Sequence, residues 1–118
     1  MNVGIDTVEI KRIEELLNKD AFLSRVFSVE EQKEFALKNN KSEHIAAAFA
    51  AKEAFSKAIG TGIAGFALTE VSLLHFENGK PYLSFSGNAL SIVKENNYAF
   101  DVSITHTASV ATAIVICF

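Results

Sequence analysis

The sequence predicts an α+β domain in which an N-terminal strand and helices, one of them a long central helix, pack on an antiparallel sheet. Three observations carry this reading. Apolar residues recur at helical spacing through the first half of the 118 residues and at a period of two through the second. The alanine-rich run from Glu43 to Ile59 is long enough to be a central helix and ends at Gly60, a residue suited to a left-handed closing position. Asn78-Gly79 sits between two strand-like runs and is a strong hairpin signal. Helices followed by strands give one α+β unit over residues 1–118, with no room for a second independent core.

Each element has its own signal. Val3 to Thr7 forms a short strand with Val3 and Ile5 expected in the core. A helix from about Val8 to Asn18 follows, with Ile10, Ile13, Leu16 and Leu17 on its apolar side. Ala21 to Phe27 is a short helical or turn segment. Ser28 with Glu31 three residues on is a capping box, so a helix starts there and runs to about Lys38, stopping in Asn39-Asn40-Lys41. Ser42 is the expected N-cap of the central helix. Its alanines (Ala46, Ala47, Ala48, Ala50, Ala51, Ala54, Ala58) favour helix and allow close approach of other backbones, which predicts deep burial. Val71–Phe76 and Tyr82–Phe85 are the hairpin strands, and Asn88–Glu95 is a short helix. Phe100–Thr107 and Val110–Phe118 close the sheet, the last almost wholly apolar and therefore expected to be buried.

Composition narrows the function classes. Hydrophobic residues make up 49% and charged residues 21%, the balance of a folded chain. A net charge of −3 argues against nucleic-acid binding as the main role, though a local basic face remains open. Met1-Asn2-Val3-Gly4-Ile5-Asp6 lacks the layout of a signal peptide. No apolar run approaches the roughly 20 residues that span a bilayer, so no membrane role is expected. The single Cys117 allows neither an intrachain disulfide nor a cysteine metal cluster. A cytoplasmic location is the expectation.

The central helix carries the densest chemistry. Phe49, Glu53, Ser56, Lys57 and Gly60 fall on one stripe, with Lys52 at its edge. One reading is an exposed Glu53–Lys57 pair at i,i+4, worth about 0.3–0.5 kcal/mol. The other makes Glu53 a metal ligand and the lysines phosphate partners, with Gly60-Thr61-Gly62 letting backbone approach a ligand. Asp6, at a strand end, is either the N-cap of the next helix or a second carboxylate. Asp6 and Glu53 together are what Mg²⁺ favours, one or two carboxylates completed by water and phosphate oxygens. His106 shares a strand face with Val102 and Ile104 and reads as a core histidine or a ligand contact. Ser103, Thr105 and Thr107 line the other face. Lys11, Arg12, Lys19 and Arg25 form a basic cluster in an acidic chain, either solvated or a dock for an acidic partner. Lys80, beside the Asn78-Gly79 turn, is either solvated or a phosphate or purine contact.

Three segments then resemble the signatures of the 4′-phosphopantetheinyl transferases. Gly4-Ile5-Asp6 with Arg12-Ile13 is similar to their opening signature. Phe49-Ala50-Ala51-Lys52-Glu53-Ala54-Phe55-Ser56-Lys57-Ala58-Ile59-Gly60-Thr61-Gly62 is similar to the second, and Ser103-Ile104-Thr105-His106-Thr107 leading into Ala111–Val115 to the third. Arg25-Val26-Phe27-Ser28 and Asn78-Gly79-Lys80-Pro81 also resemble family segments. The resemblance runs in order from Gly4 to near the C-terminus and points to the short, single-unit branch.

The resemblance implies transfer of the 4′-phosphopantetheine group of coenzyme A to a serine of apo acyl carrier protein, with Mg²⁺ required and adenosine 3′,5′-bisphosphate released. It makes Asp6 and Glu53 the metal carboxylates and Lys57 the pyrophosphate contact. It assigns further coenzyme A contacts to Lys52, Ser56, Gly60 and Gly62. Asn78, Gly79, Lys80 and Pro81 fall near the adenine end, and His106 and Thr107 on the nucleotide side. Arg12, with Lys11 and Arg25, docks the carrier. It also implies a homotrimer with active sites between subunits. The attacking serine's proton has two candidate acceptors, Glu53 and a metal-ordered water. One departure stands out: Ala48 occupies a position where relatives usually carry a basic residue, which removes a charge contact with coenzyme A. The competing reading is a noncatalytic coenzyme A- or nucleotide-binding module.

Overall fold

The first and last strands pair along their whole length, and this pairing sets the frame. In the computed structural model, which describes Met1–Phe118, strand β1 (Asn2–Glu9) runs antiparallel to the C-terminal strand, from Asn2 opposite Cys117 to Glu9 opposite Val110. The full ladder carries β1 through Val8 and Glu9, so helix α1 (Ile10–Leu17) starts later than its apolar pattern alone suggests. Ile10 N–H donates to the Ser109 carbonyl at 2.9 Å and fixes that turn.

Helix α2 (Phe22–Val26) is a single short turn, and α3 (Val29–Leu37) starts from the expected capping box. Ser28 Oγ accepts Glu31 N–H at 3.2 Å, and Glu31 Oε1 accepts Ser28 N–H at 3.0 Å. Caps of this kind contribute about 0.5–2 kcal/mol. Helix α4 (Ser42–Ile59) closes on Gly60 at φ 79°, in the left-handed region that favours glycine. Its N-cap is Lys41, not Ser42: Ser42 is already helical, and no side chain caps the first turn.

A 3₁₀ turn at Leu68–Glu70 leads into strand β2 (Val71–His75), which pairs with β3 (Pro81–Phe85). The connecting turn has Gly79 at φ 89°, and Lys80 N–H donates to Asn78 Oδ1 at 3.0 Å. Helix α5 (Gly87–Glu95) follows, then β4 (Phe100–His106) and β5 (Val110–Cys117). The strands form two antiparallel sheets, a three-stranded one in the order β1-β5-β4 and the β2-β3 hairpin.

Helix α4 lies on the three-stranded sheet, and small residues set the distance. A Cβ at Gly4 would overlap the Ala54 carbonyl oxygen and sit 2.6 Å from Ala58 N. Backbone therefore touches backbone where β1 crosses α4, as the alanine ladder predicts. Ile13, Ile45, Ala50, Ala54 and Val115 are fully buried in the core cluster to which Ala54 and Ala58 belong. A second cluster forms under α5, where Phe55 meets Phe66, Phe85 and Phe100 with centroids 5.2–5.4 Å apart.

The opposite sheet face is a correction to the sequence reading. Val3 is 60% exposed, Ile5 55% and Ile114 36%, so neither Val3 nor Ile5 is core and β5 alternates instead of being buried throughout. Side chains alternate along a strand, and only the face carrying Gly4, Val8, Ala113 and Val115 meets α4. Cys117 is buried as expected. No helix is long and apolar enough to cross a membrane.

Candidate active site

The crossing of β1 and α4 brings together residues 47 positions apart in the chain, Asp6 and Glu53. Gly4 makes the close approach possible, and Asp6 lies two residues further along β1. On α4, Glu53 precedes Ala54, whose carbonyl Gly4 faces. Lys57 reaches back from the last turn of α4. Its ammonium donates to Asp6 Oδ1 at 3.0 Å and to the Ile5 carbonyl at 2.9 Å. Lys57 thus pairs with Asp6, not with Glu53 one turn earlier, so the simple i,i+4 surface pair is not what forms.

The half-buried Glu53 has an unusual environment. Burial pushes its carboxyl above the ordinary range, and the neighbouring Asp6 charge adds to this; Lys57 and Arg12 pull it back. Two carboxylates therefore lie close enough to act on each other, with two cations close enough to oppose them. A divalent cation would relieve their repulsion, and two carboxylates leave coordination positions for water and phosphate, as Mg²⁺ prefers. No cluster of three or more His, Cys, Asp or Glu side chains exists to enclose a metal by protein ligands alone. The donor set fits an open, substrate-completed site and not a closed one.

Lys52 is a correction. It is fully buried, and its ammonium donates to Glu31 Oε1 at 2.5 Å, to the Leu68 carbonyl at 3.0 Å and to the Val71 carbonyl. With its donors engaged inside the protein, it has none to offer coenzyme A. Ser56 is buried too, and its hydroxyl donates to the Glu53 carbonyl at 2.7 Å. It sits behind the site instead of lining it.

Glu31 is the residue that sequence reasoning missed. It is buried, and beyond closing the capping box and receiving Lys52 it accepts Leu73 N–H on Oε2 at 3.0 Å. Ser72 Oγ and Ser28 Oγ hydrogen-bond at 2.7 Å beside it. Burial pushes the Glu31 carboxyl up and the Lys52 ammonium down, and each opposes the other's shift. This network ties α3, α4 and the start of β2 behind the site. Ser28-x-x-Glu31 was its only signal, and a capping box does not announce a buried ion pair.

The other predicted residues lie at separate places on the chain. Gly60 and Lys57 line a shallow cleft with the N-terminal residues Met1 to Val3. Thr61 Oγ1 donates to the Gly62 carbonyl at 2.9 Å within the exposed loop. Lys80 and Pro81 line a different cleft, between the hairpin and Asp101 of β4, beside the stacked Phe76 and Tyr82 rings at 4.3 Å. Asn78 and Gly79 form the exposed tip of that hairpin. His106 is exposed at the end of β4, so it is not a core histidine. Next to it, Thr107 Oγ1 accepts the N–H groups of Ser109 and Val110, each at 3.2 Å. Near His106, burial and the charges of Lys38, His106 and Lys41 lower the His44 pKa, against an opposing pull from Glu43. This corner borders Ala48, with Glu34, Lys38 and His44 lining one small cavity beside it. Lys11, Arg12 and Arg25 are exposed.

Residues 2–114 match the family described as the 4′-phosphopantetheinyl transferase superfamily. A holo-[acyl-carrier-protein] synthase from Fusobacterium nucleatum is 38% identical over 118 residues, which cover 98% of the chain and 97% of that protein. The crystal structure of holo-[acyl-carrier-protein] synthase from Neisseria meningitidis superposes with a TM-score of 0.90 at 30% identity, covering 99% of this chain and 97% of that one. The Helicobacter pylori synthase, solved in complex with coenzyme A, superposes with a TM-score of 0.85 at 32% identity, covering 98% and 99%.

Proposed function

The chain belongs to the 4′-phosphopantetheinyl transferase superfamily of enzymes, and we propose that it transfers 4′-phosphopantetheine from coenzyme A to a serine of apo acyl carrier protein in a Mg²⁺-dependent reaction. The observation that carries this reading is the meeting of Asp6, Glu53 and Lys57 at the β1–α4 crossing. Relatives named as synthases of the holo carrier, one of them solved with coenzyme A, support both substrates.

In this reading Asp6 and Glu53 hold Mg²⁺, which when bound neutralises charge on the pyrophosphate. The serine hydroxyl gives its proton to Glu53 or to an ordered water as its oxygen bonds to the phosphorus that carries pantetheine. The bond from that phosphorus to the bridging oxygen breaks, and adenosine 3′,5′-bisphosphate leaves with the electron pair. Lys57 balances the charge that develops on this leaving group. Rate enhancement rests on positioning and electrostatics, because the protein forms no covalent intermediate. Gly60 and Gly62 let the pyrophosphate approach the backbone, while Asn78–Pro81 and His106–Thr107 contact the nucleotide. Arg12, with Lys11 and Arg25, docks the carrier's acidic surface.

The separate clefts of one chain support a homotrimer whose active sites lie between subunits. So does the exposed apolar sheet face at Val3, Ile5 and Ile114, which suits a second copy of the chain. The test is to incubate the protein with coenzyme A, Mg²⁺ and apo carrier and weigh the carrier. A gain of one phosphopantetheine is expected, and Asp6→Asn and Glu53→Gln should each lower the rate at least about a hundredfold with the fold intact. Coenzyme A binding without any gain would instead indicate a noncatalytic module. Arg12→Glu should weaken carrier binding more than coenzyme A binding.

A further inference from the structure

Lys57 is paired with one of the two carboxylates to which the proposed metal is assigned. Its ammonium bridges the Ile5 carbonyl at 2.9 Å and Asp6 Oδ1 at 3.0 Å, two adjacent oxygens of β1. The Asp6 side chain is 19% exposed and that of Lys57 54%, so the carboxylate is sheltered while the lysine stem is free to swing. A divalent cation on Asp6 and Glu53 would stand beside this ammonium, and the two positive charges would repel each other across the one carboxylate. Arg12, close enough to act on Glu53, adds to the positive charge an incoming metal meets.

We propose that Lys57 keeps the Asp6–Glu53 site closed to a divalent cation until a phosphate takes its ammonium, so that metal and pyrophosphate load together. The proposal rests on the reading of Asp6 and Glu53 as metal ligands. A phosphate oxygen within reach of Lys57 gives the ammonium an anion to replace Asp6, and Asp6 is then released to the metal. Gly60 follows one turn after the lysine and lines the same cleft, which leaves room for that phosphate. Lys57 then has two successive roles. It is counterion to Asp6 in the free enzyme and to the pyrophosphate in the loaded one.

The test uses Mn²⁺ as a stand-in for Mg²⁺, with the free ion read by electron paramagnetic resonance. The full-length protein should bind Mn²⁺ weakly alone and more tightly with coenzyme A present. Lys57→Met should bind Mn²⁺ without coenzyme A about three- to tenfold more tightly than the parent, the scale expected when a half-exposed ion pair and a like-charge neighbour are removed. The tightening caused by coenzyme A should shrink in that variant, while Lys57→Arg should retain the parent's weak binding. Equal or weaker Mn²⁺ binding by Lys57→Met overturns the proposal and leaves the metal assignment standing. Unchanged Mn²⁺ binding in both Asp6→Asn and Glu53→Gln overturns the metal assignment itself.

Discussion

Glu53 makes the site sensitive to acid at a higher pH than an ordinary glutamate would. Its carboxyl is pushed up by burial and by Asp6. The raised value means that the folded state holds the proton more firmly than the unfolded chain does. Its contribution to stability is therefore complete below the unfolded value and lost as pH rises through the folded one. The proposed metal role needs the ionised form, so on that reading the Mg²⁺ concentration for half-maximal activity should rise steeply on acidification through the raised value. Arg12→Ala removes one of the charges that hold the carboxyl down and should move that midpoint upward, measured as the pH dependence of the Mg²⁺ activation constant. An unchanged midpoint would detach Arg12 from Glu53. Asp6, Glu53 and Lys57 stood out in the sequence through their match to the family signatures, since a helix N-cap and a Glu53–Lys57 surface pair would have explained the same residues locally. The burial of Lys52 was not legible. A lysine between an alanine and a glutamate on a helix looks like surface, and only the distant Glu31 explains why it lies inside.

Among the elements, α3 and α4 are joined by that buried pair. Removing one charge from a buried pair strands the other, at a cost of about 3–5 kcal/mol, whereas replacing both by apolar groups of similar volume is often close to neutral. Glu31→Gln should therefore destabilise the protein by about that amount in urea unfolding, and Glu31→Leu combined with Lys52→Met should recover most of it. Failure of the pair to recover would show that the hydrogen bonds to Leu68, Leu73 and Val71, not the charges, hold the elements together. The starts and stops of several elements were legible because local chemistry sets them: Ser28 with Glu31, Gly60, and Asn78-Gly79. Pairing between distant strands was not. Nothing local tells β1 that its partner lies at the far end of the chain, and the outward turn of Val3 and Ile5 follows from that pairing and from which face α4 covers.

For the whole molecule, the apolar outer sheet face is the feature that one chain leaves unsolved. Val3, Ile5 and Ile114 project together from neighbouring strands. Ile5→Asp adds a charge to a side chain already exposed in the single chain, so the fold should survive. The proposed trimer should dissociate to monomers in sedimentation, and most transfer activity should go with it. A monomeric parent, or a trimer that persists in the variant, would place the subunit contact elsewhere.

The contact between Gly4 and Ala54 has a further consequence. Strand and helix meet there with no side chain between them, so the separation of the backbones that carry Asp6 and Glu53 has no soft spacer to yield. The crossing therefore works as a fixed gauge for the two backbones, and any adjustment between the carboxylates falls to the rotamers of Asp6 and Glu53 themselves. Selection cannot adjust that gauge by degrees, because glycine is already the smallest residue available and each enlargement arrives as a whole methyl group.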